Sequence, residues 1–136
     1  MVTPRSILVV DDEANARTAL AELLSDEGYL VQTANDGLMA LAKFAACPPD
    51  LVLTDIRMPG LDGLGLLRKV HEGHPDCPVI LMSAHIGASK DLGASAGAAA
   101  ILAKPLNFTE LTMAIEQTLA AHGTHKQPSR AELAAK

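Results

Sequence analysis

Four short stretches of this chain carry residues that could do chemistry together. They are Asp11-Asp12-Glu13, Thr54-Asp55, Ser83-Ala84 and Lys104-Pro105. Each follows an apolar run of strand length: Ile7–Val10, Leu51–Leu53, Val79–Met82 and Ile101–Ala103. In a parallel sheet, functional groups gather at the carboxyl ends of the strands. Carboxylates, a hydroxyl and an ammonium would then meet on one rim. Carboxylates packed together repel one another. A hard divalent cation with oxygen ligands relieves that repulsion, and Mg²⁺ binds through one or two carboxylates while leaving room for phosphate oxygens. A carboxylate held beside such an ion is a nucleophile toward phosphorus, and the product is an aspartyl phosphate. Lys104 would stabilise charge on the transferring group, and Ser83 would donate a hydrogen bond to the acyl phosphate. Taken singly, each residue has a plainer role. Asp12 or Glu13 suits a helix N-cap, Asp55 and Ser83 suit turns, and Lys104 suits a solvated surface. The joint pattern on four strand ends favours the chemical reading.

The elements that position these residues alternate in texture. Between the strand-like runs, and a weaker one at Tyr29–Thr33, lie segments with apolar spacings of three and four. These comprise Ala16, Leu20, Leu23 and Leu24, then Leu38, Leu41, Ala42 and Ala45, then Leu64, Leu67 and Val70, and finally Phe108, Leu111, Ile115 and Leu119. Asn35 or Asp36 is suited to cap the second helix and Asp62 the third. Asn107 with Glu110 resembles a capping box for the last. Gly28 suits a left-handed helix end, and Pro48-Pro49 and Pro78 stop helices just before strands. The spacing predicts five β-α repeats. Uninterrupted apolar strands imply burial on both faces, hence a parallel sheet between two helical layers. Right-handed crossovers at this length favour a flavodoxin-like three-layer (βα)5 fold with strand order 2-1-3-4-5.

Composition sets further bounds. A chain of 136 residues that is 49% apolar fits one domain with a packed core. Aromatics are limited to Tyr29, Phe44 and Phe108, so that core is aliphatic. The net charge of −5 offers no basic surface for nucleic acid or a membrane. No apolar run is long enough to span a bilayer and the first residues do not form a signal peptide, so a cytoplasmic address is expected. Cys47 and Cys77 are isolated and read as plain thiols. His71 with His74, and His122 with His125, read as cations near helix ends rather than a metal site. The boundaries expected are a domain over 1–121 and a polar tail or linker over 122–136, in which Ala131–Lys136 could at most start a helix.

From about Ser6 to Ala121 the chain resembles the receiver domains of response regulators in two-component signalling. The matching residues are Ile7-Leu8-Val9-Val10-Asp11-Asp12-Glu13, the run Asp50 to Gly63 (DLVLTDIRMPGLDG), Ser83-Ala84 and Lys104-Pro105. The resemblance implies that Asp55 is the phosphoacceptor. It further implies that Asp12, Asp55 and the backbone carbonyl of Arg57 bind Mg²⁺, with Asp11 in the outer shell. Ser83 and Lys104 would follow the phosphoryl group, and the Lys104-Pro105 bond would be cis. The partners implied are a sensor histidine kinase or histidine phosphotransfer protein as donor, and an effector protein or a fused output domain as target. No direct nucleic-acid contact is expected, and the chain would be a monomer or weak dimer, free-standing or the first part of a longer regulator. The domain would promote its own phosphoryl transfer and dephosphorylation without being an enzyme in its own right.

Two departures stand out. Ile101 occupies the place, three residues before the lysine, where receivers usually carry Tyr or Phe. The segment between Ser83 and Lys104 is about one residue shorter than usual and is Gly/Ala-rich over 87–100, which implies a short, shifted or mobile fourth helix and puts in question self-association through that helix and the last strand and helix. Arg57 and His85, each two residues past a site residue, are placed to tune the lifetime of the acyl phosphate. Three other readings compete. An Asp-nucleophile phosphohydrolase would need an acid where Arg57 stands. A flavin module would need aromatics and a hydroxyl-rich phosphate loop. A phosphorylation-independent adaptor would not need a complete acidic site.

Overall fold

The computed structural model describes the backbone of residues 4–84 and 97–135, and side chains as far as Ala121. Its elements are β1 (Ser6–Val10), α1 (Ala14–Asp26), β2 (Leu30–Ala34), α2 (Gly37–Ala46), β3 (Leu51–Asp55), α3 (Gly63–Gly73), β4 (Val79–Ser83), β5 (Ala100–Ala103) and α4 (Phe108–Ala135). The five strands form one parallel sheet in the order β2-β1-β3-β4-β5, as the apolar pattern predicts. Of the stretch 87–100 in which a fourth helix is expected, residues 87–96 lie outside the described residues, while 97–100 are not helical and lead into β5 at Ala100.

Because side chains alternate along a strand, the sheet separates two cores. Leu8, Val10, Val52 and Leu81 face one side and pack with Ala40 and Phe44 of α2 and Leu66, Leu67 and Val70 of α3. Ile7, Val9, Leu51, Leu53, Ile80 and Met82 face the other and pack with Leu20 and Leu24 of α1 and Leu111, Ile115 and Leu119 of α4. β3 and β4 are buried at every position. They form the rigid centre on which the rim is mounted.

Several local expectations hold. Asp36 accepts from the Met39 N–H at 2.7 Å and Asp62 from the Gly65 N–H at 2.8 Å. Asn107 accepts from the Glu110 N–H at 3.0 Å. Gly28 has φ +99°, a region that Gly enters without steric cost. The helical faces need correction. In α2 the buried stripe is Gly37, Ala40 and Phe44, with Leu41 beside it, while Leu38 is 70% exposed. The one large aromatic dictates which side turns inward, and a small residue at Gly37 lets the helix start lie close to its neighbour. Leu23 and Phe108 are likewise exposed although their spacing fits the apolar face. The segment expected as a tail continues α4 to Ala135. An already formed helix extends without a new nucleation cost, so shortness does not prevent this stretch from being helical.

Candidate phosphoacceptor site

Each residue at the rim is delivered by a strand end. Asp11 follows β1, and its N–H donates to Ala34 O on β2 at 3.2 Å. Asp55 is the last residue of β3, in register with Met82 of β4. The next residue, Ile56, still donates to Met82 O at 2.9 Å, so the β3 backbone is held one position beyond the carboxylate. Ser83 ends β4 opposite Ala103, and its carbonyl accepts from the Lys104 N–H at 2.8 Å. Sheet hydrogen bonding alone thus places Asp55, Ser83 and Lys104 on adjacent strands at one height.

The side chains converge. One carboxylate oxygen from each of Asp11, Asp12 and Asp55 lies within 4.8 Å of the others. The Lys104 ammonium donates to Asp55 Oδ2 at 3.1 Å and stands 3.5 Å from Asp11 Oδ2. Asp11 and Asp55 are buried, whereas Asp12 is exposed. Burial raises the Asp55 carboxyl above its ordinary value. The Lys104 bond and charge pull it back, and the negative charges of Asp11 and Asp12 add to the rise. For Lys104, burial acts downward. Its bond to Asp55 and the charges of Asp55 and Asp11 outweigh burial and hold the ammonium above its usual value. Among the described residues, Lys104 is the one side chain in ion-pair contact with the cluster, and it meets two of the three carboxylates, which remain under-neutralised.

That imbalance tests whether a divalent ion fits. Among the described residues Asp11 Oδ2 is buried without a hydrogen-bond partner, the Lys104 ammonium at 3.5 Å being an ion-pair contact only, which leaves the carboxylate oxygen poorly compensated. The donors on offer are all hard oxygens, the set that Mg²⁺ takes. The residues present therefore fit a Mg²⁺ ion. Among the described residues no other group of three His, Cys, Asp or Glu side chains clusters in this way.

The remaining sequence expectations fall as follows. Ser83 is buried at the rim. Arg57 is exposed, two residues past Asp55, beside an open groove shared with Met58, Pro59 and Asp62. His85 lies outside the described residues, as do the side chains of His122 and His125. His71 and His74 do not pair. His71 Nε2 contacts Cys77 O at 2.9 Å, and His74 meets the Phe44 ring edge-on at 4.8 Å. Neither Cys47 nor Cys77 is joined in a disulfide, and the Lys104-Pro105 bond is cis.

Sequence reasoning missed the groups that fix the loops. The Thr54 hydroxyl donates to Asp55 O at 3.0 Å, and the Gly63 N–H to Ile56 O at 2.8 Å. A Cβ at Gly63 would overlap Asp55 O and come within 2.8 Å of Ile56 Cα. Leu61 packs where Cβ atoms at Gly37 and Gly65 would stand, at 2.8 Å from its Cβ and 2.6 Å from its Cδ1 respectively. Arg17 Nη1 donates to Asp11 O at 2.8 Å. The glycine before and within the third helical run was the available signal. Nothing in the sequence marks Arg17, or marks Thr54 as a clamp on the Asp55 carbonyl.

Comparison with known proteins agrees with this geometry. The family model described as the response regulator receiver domain matches residues 7–116. NtrC of Salmonella typhimurium, named a DNA-binding transcriptional regulator, is 37% identical over 130 residues, covering 93% of this chain and 27% of that protein. The nitrogen assimilation regulatory protein NtrX of Azorhizobium caulinodans is 40% identical over 116 residues, covering 83% of this chain and 26% of that protein. The chain spans about a quarter of the length of these relatives. Among solved structures, NtrX from Brucella abortus in complex with ATP superposes with a TM-score of 0.85 at 35% identity, covering 93% of this chain and 29% of that one. The chemotaxis protein CheY4 of Vibrio cholerae superposes with a TM-score of 0.82 at 29% identity, covering 86% of this chain and all of that one. With the acidic rim, the strand order and the family match in agreement, this chain belongs to the response regulator receiver domain family.

Proposed function

We propose that Asp55 accepts a phosphoryl group in a Mg²⁺-dependent reaction and that this charge change is the signal. The single observation that carries the reading is the convergence of Asp11, Asp12 and Asp55 within 4.8 Å, with Lys104 on Asp55 at 3.1 Å. In the step, an Asp55 carboxylate oxygen attacks phosphorus of a phosphohistidine. The new O–P bond forms as the P–N bond breaks, and the imidazole nitrogen leaves with the electron pair and takes up a proton. A bound Mg²⁺ would offset the charge of the phosphoryl oxygens and hold them against the carboxylates. Asp12, Asp55 and the Arg57 carbonyl would hold that ion, with Asp11 in its outer shell. Lys104 is already paired with Asp55, so its ammonium is in place to follow the new negative charge. Ser83, buried at the neighbouring strand end, is placed to hydrogen-bond the acyl phosphate. Arg57, exposed beside the site, would govern water access and hence its lifetime.

The donor would be a sensor histidine kinase or a histidine phosphotransfer protein, and the target an effector or a fused output domain. Residues 1–121 would form the receiver, with 122–136 as the connection, which here is helical to Ala135. The expectation of no nucleic-acid partner rests on the charge of this chain alone. The similarity to regulators named DNA-binding favours, for a fused protein, output at DNA through another domain. No helix among the described residues is long and apolar enough to cross a membrane. The phosphohydrolase reading finds no acid two residues past Asp55.

The test is to incubate the chain with acetyl phosphate and Mg²⁺ and measure intact mass. The wild type should gain one phosphoryl group that base removes, and Asp55→Asn or added chelator should abolish the gain. An unlabelled wild type, or a label kept by Asp55→Asn, would refute the assignment.

A further inference from the structure

Asp12 is the exposed member of the acidic cluster, and among the described hydrogen bonds none involves its side chain. The direction of its carboxylate is therefore set by its backbone. Both carbonyls that flank it are held by one residue. The Arg17 guanidinium donates through Nη1 to Asp11 O at 2.8 Å, and the Arg17 backbone N–H donates to Glu13 O at 3.0 Å. Asp11 is further fixed by its N–H on Ala34 O at 3.2 Å and by its Oδ1, which accepts from the Glu13 N–H at 3.0 Å. The backbone bond of Arg17 belongs to any helix starting here. The guanidinium bond does not. It spans a full turn back to the strand end, out of the helix and onto the loop.

We propose that Arg17 is a positioning residue for the divalent-cation site: its guanidinium fixes the Asp11-Asp12 peptide so that the Asp12 carboxylate meets those of Asp11 and Asp55. The inference rests on the reading of this cluster as a Mg²⁺ site. It has a sign that separates it from a simple charge effect. Arg17 is itself a cation near the acidic cluster. If it acted only through charge, removing it would strengthen binding of another cation. Acting through position, its removal weakens binding, because Asp12 is released to wander.

The experiment is a Mg²⁺ titration of the full chain, followed by amide NMR shifts at residues 11–13 and 55, since the chain has no Trp to report by fluorescence. Wild type, Arg17→Met, Arg17→Gln and Asp12→Asn are compared, with folding checked by thermal melting in chelator. The wild type should bind, and Asp12→Asn should lose most of its affinity. Arg17→Met and Arg17→Gln should each bind about fivefold to tenfold more weakly, the range expected for loss of one ordered hydrogen bond. Either folded Arg17 variant binding as tightly as the wild type, or more tightly, would overturn the positioning role while leaving the site intact. A wild type that shows no Mg²⁺ binding would instead overturn the site itself, and the inference with it.

Discussion

Lys104→Met is the most informative perturbation, because Lys104 is the cation that the described residues supply to the acidic rim. Its ammonium lies 3.1 Å from Asp55 Oδ2 and 3.5 Å from Asp11 Oδ2. At an effective dielectric of about 20, each contact is worth roughly 5 kcal/mol of Coulomb attraction, and each pair of carboxylate oxygens, lying within 4.8 Å, repels by at least about 3.5 kcal/mol. Desolvation offsets most of the attraction. Breaking a buried pair costs about 3–5 kcal/mol, and an exposed pair about 0–1 kcal/mol. The Lys104 side chain is 27% exposed and that of Asp55 11%, so the net cost lies between, about 1–3 kcal/mol. At about 4 °C per kcal/mol for a domain of this size, Lys104→Met should melt roughly 4–12 °C below wild type in chelator. The rim then carries three carboxylates with no ammonium between them, and a divalent cation should bind it more tightly. Saturating Mg²⁺ should therefore raise Tm by more in the variant than in wild type, by the linkage between binding and folding. Differential scanning calorimetry with and without Mg²⁺ measures both effects. An unchanged Tm in chelator would show that Lys104 does not neutralise the rim. An equal Mg²⁺ increment in both proteins would show that the ion binds elsewhere.

Other outcomes follow from the same geometry. The Asp55 carboxyl is raised in the folded state, chiefly by burial, so its protonated form favours folding. That contribution is complete below the unfolded value of about 3.9 and is lost as pH rises through the folded value. Asp55→Asn should thus be more stable than wild type at neutral pH in chelator, and the gap should narrow as the pH is lowered towards the unfolded value; a gap that widens on acidification would refute the sign. Gly63→Ala should lower stability by more than about 2 kcal/mol in urea denaturation, since its Cβ would overlap the Asp55 carbonyl. A cost within about 0.5 kcal/mol would show that β3 and α3 separate easily. Asp62→Ala removes the cap on the Gly65 N–H and should cost about 1 kcal/mol by the same measurement; no loss would mean that water replaces the cap.

Much of the molecule was legible in the chain. Strand identity followed from short apolar runs ended by Asp55, Ser83 and Lys104, because a strand buried on both faces admits almost nothing else. Parallel order followed from the alternation of these runs with helical spacing. The convergence of Asp11, Asp12, Asp55 and Lys104 was predictable because strand ends in a parallel sheet are neighbours by construction. Which helical face turns inward was not. Spacing favoured Leu38 in α2, yet packing chose Phe44 and Ala40, since burial is decided by the shape of the opposing surface and not by apolar character at one position. The clamps on the loops were equally hidden. Arg17 on the Asp11 carbonyl and Thr54 on the Asp55 carbonyl are close in sequence, yet a side chain reaching a backbone carbonyl leaves no periodic trace; Leu61 seated against Gly37 depends on how two separate segments pack. Residue types and their order specify the donor set and the rim on which it stands. That one buried oxygen of Asp11 has no hydrogen-bond partner and that Lys104 pairs with two of three clustered carboxylates, among the described residues, follows from packing, because charge balance is a property of distances, which residue types alone do not specify.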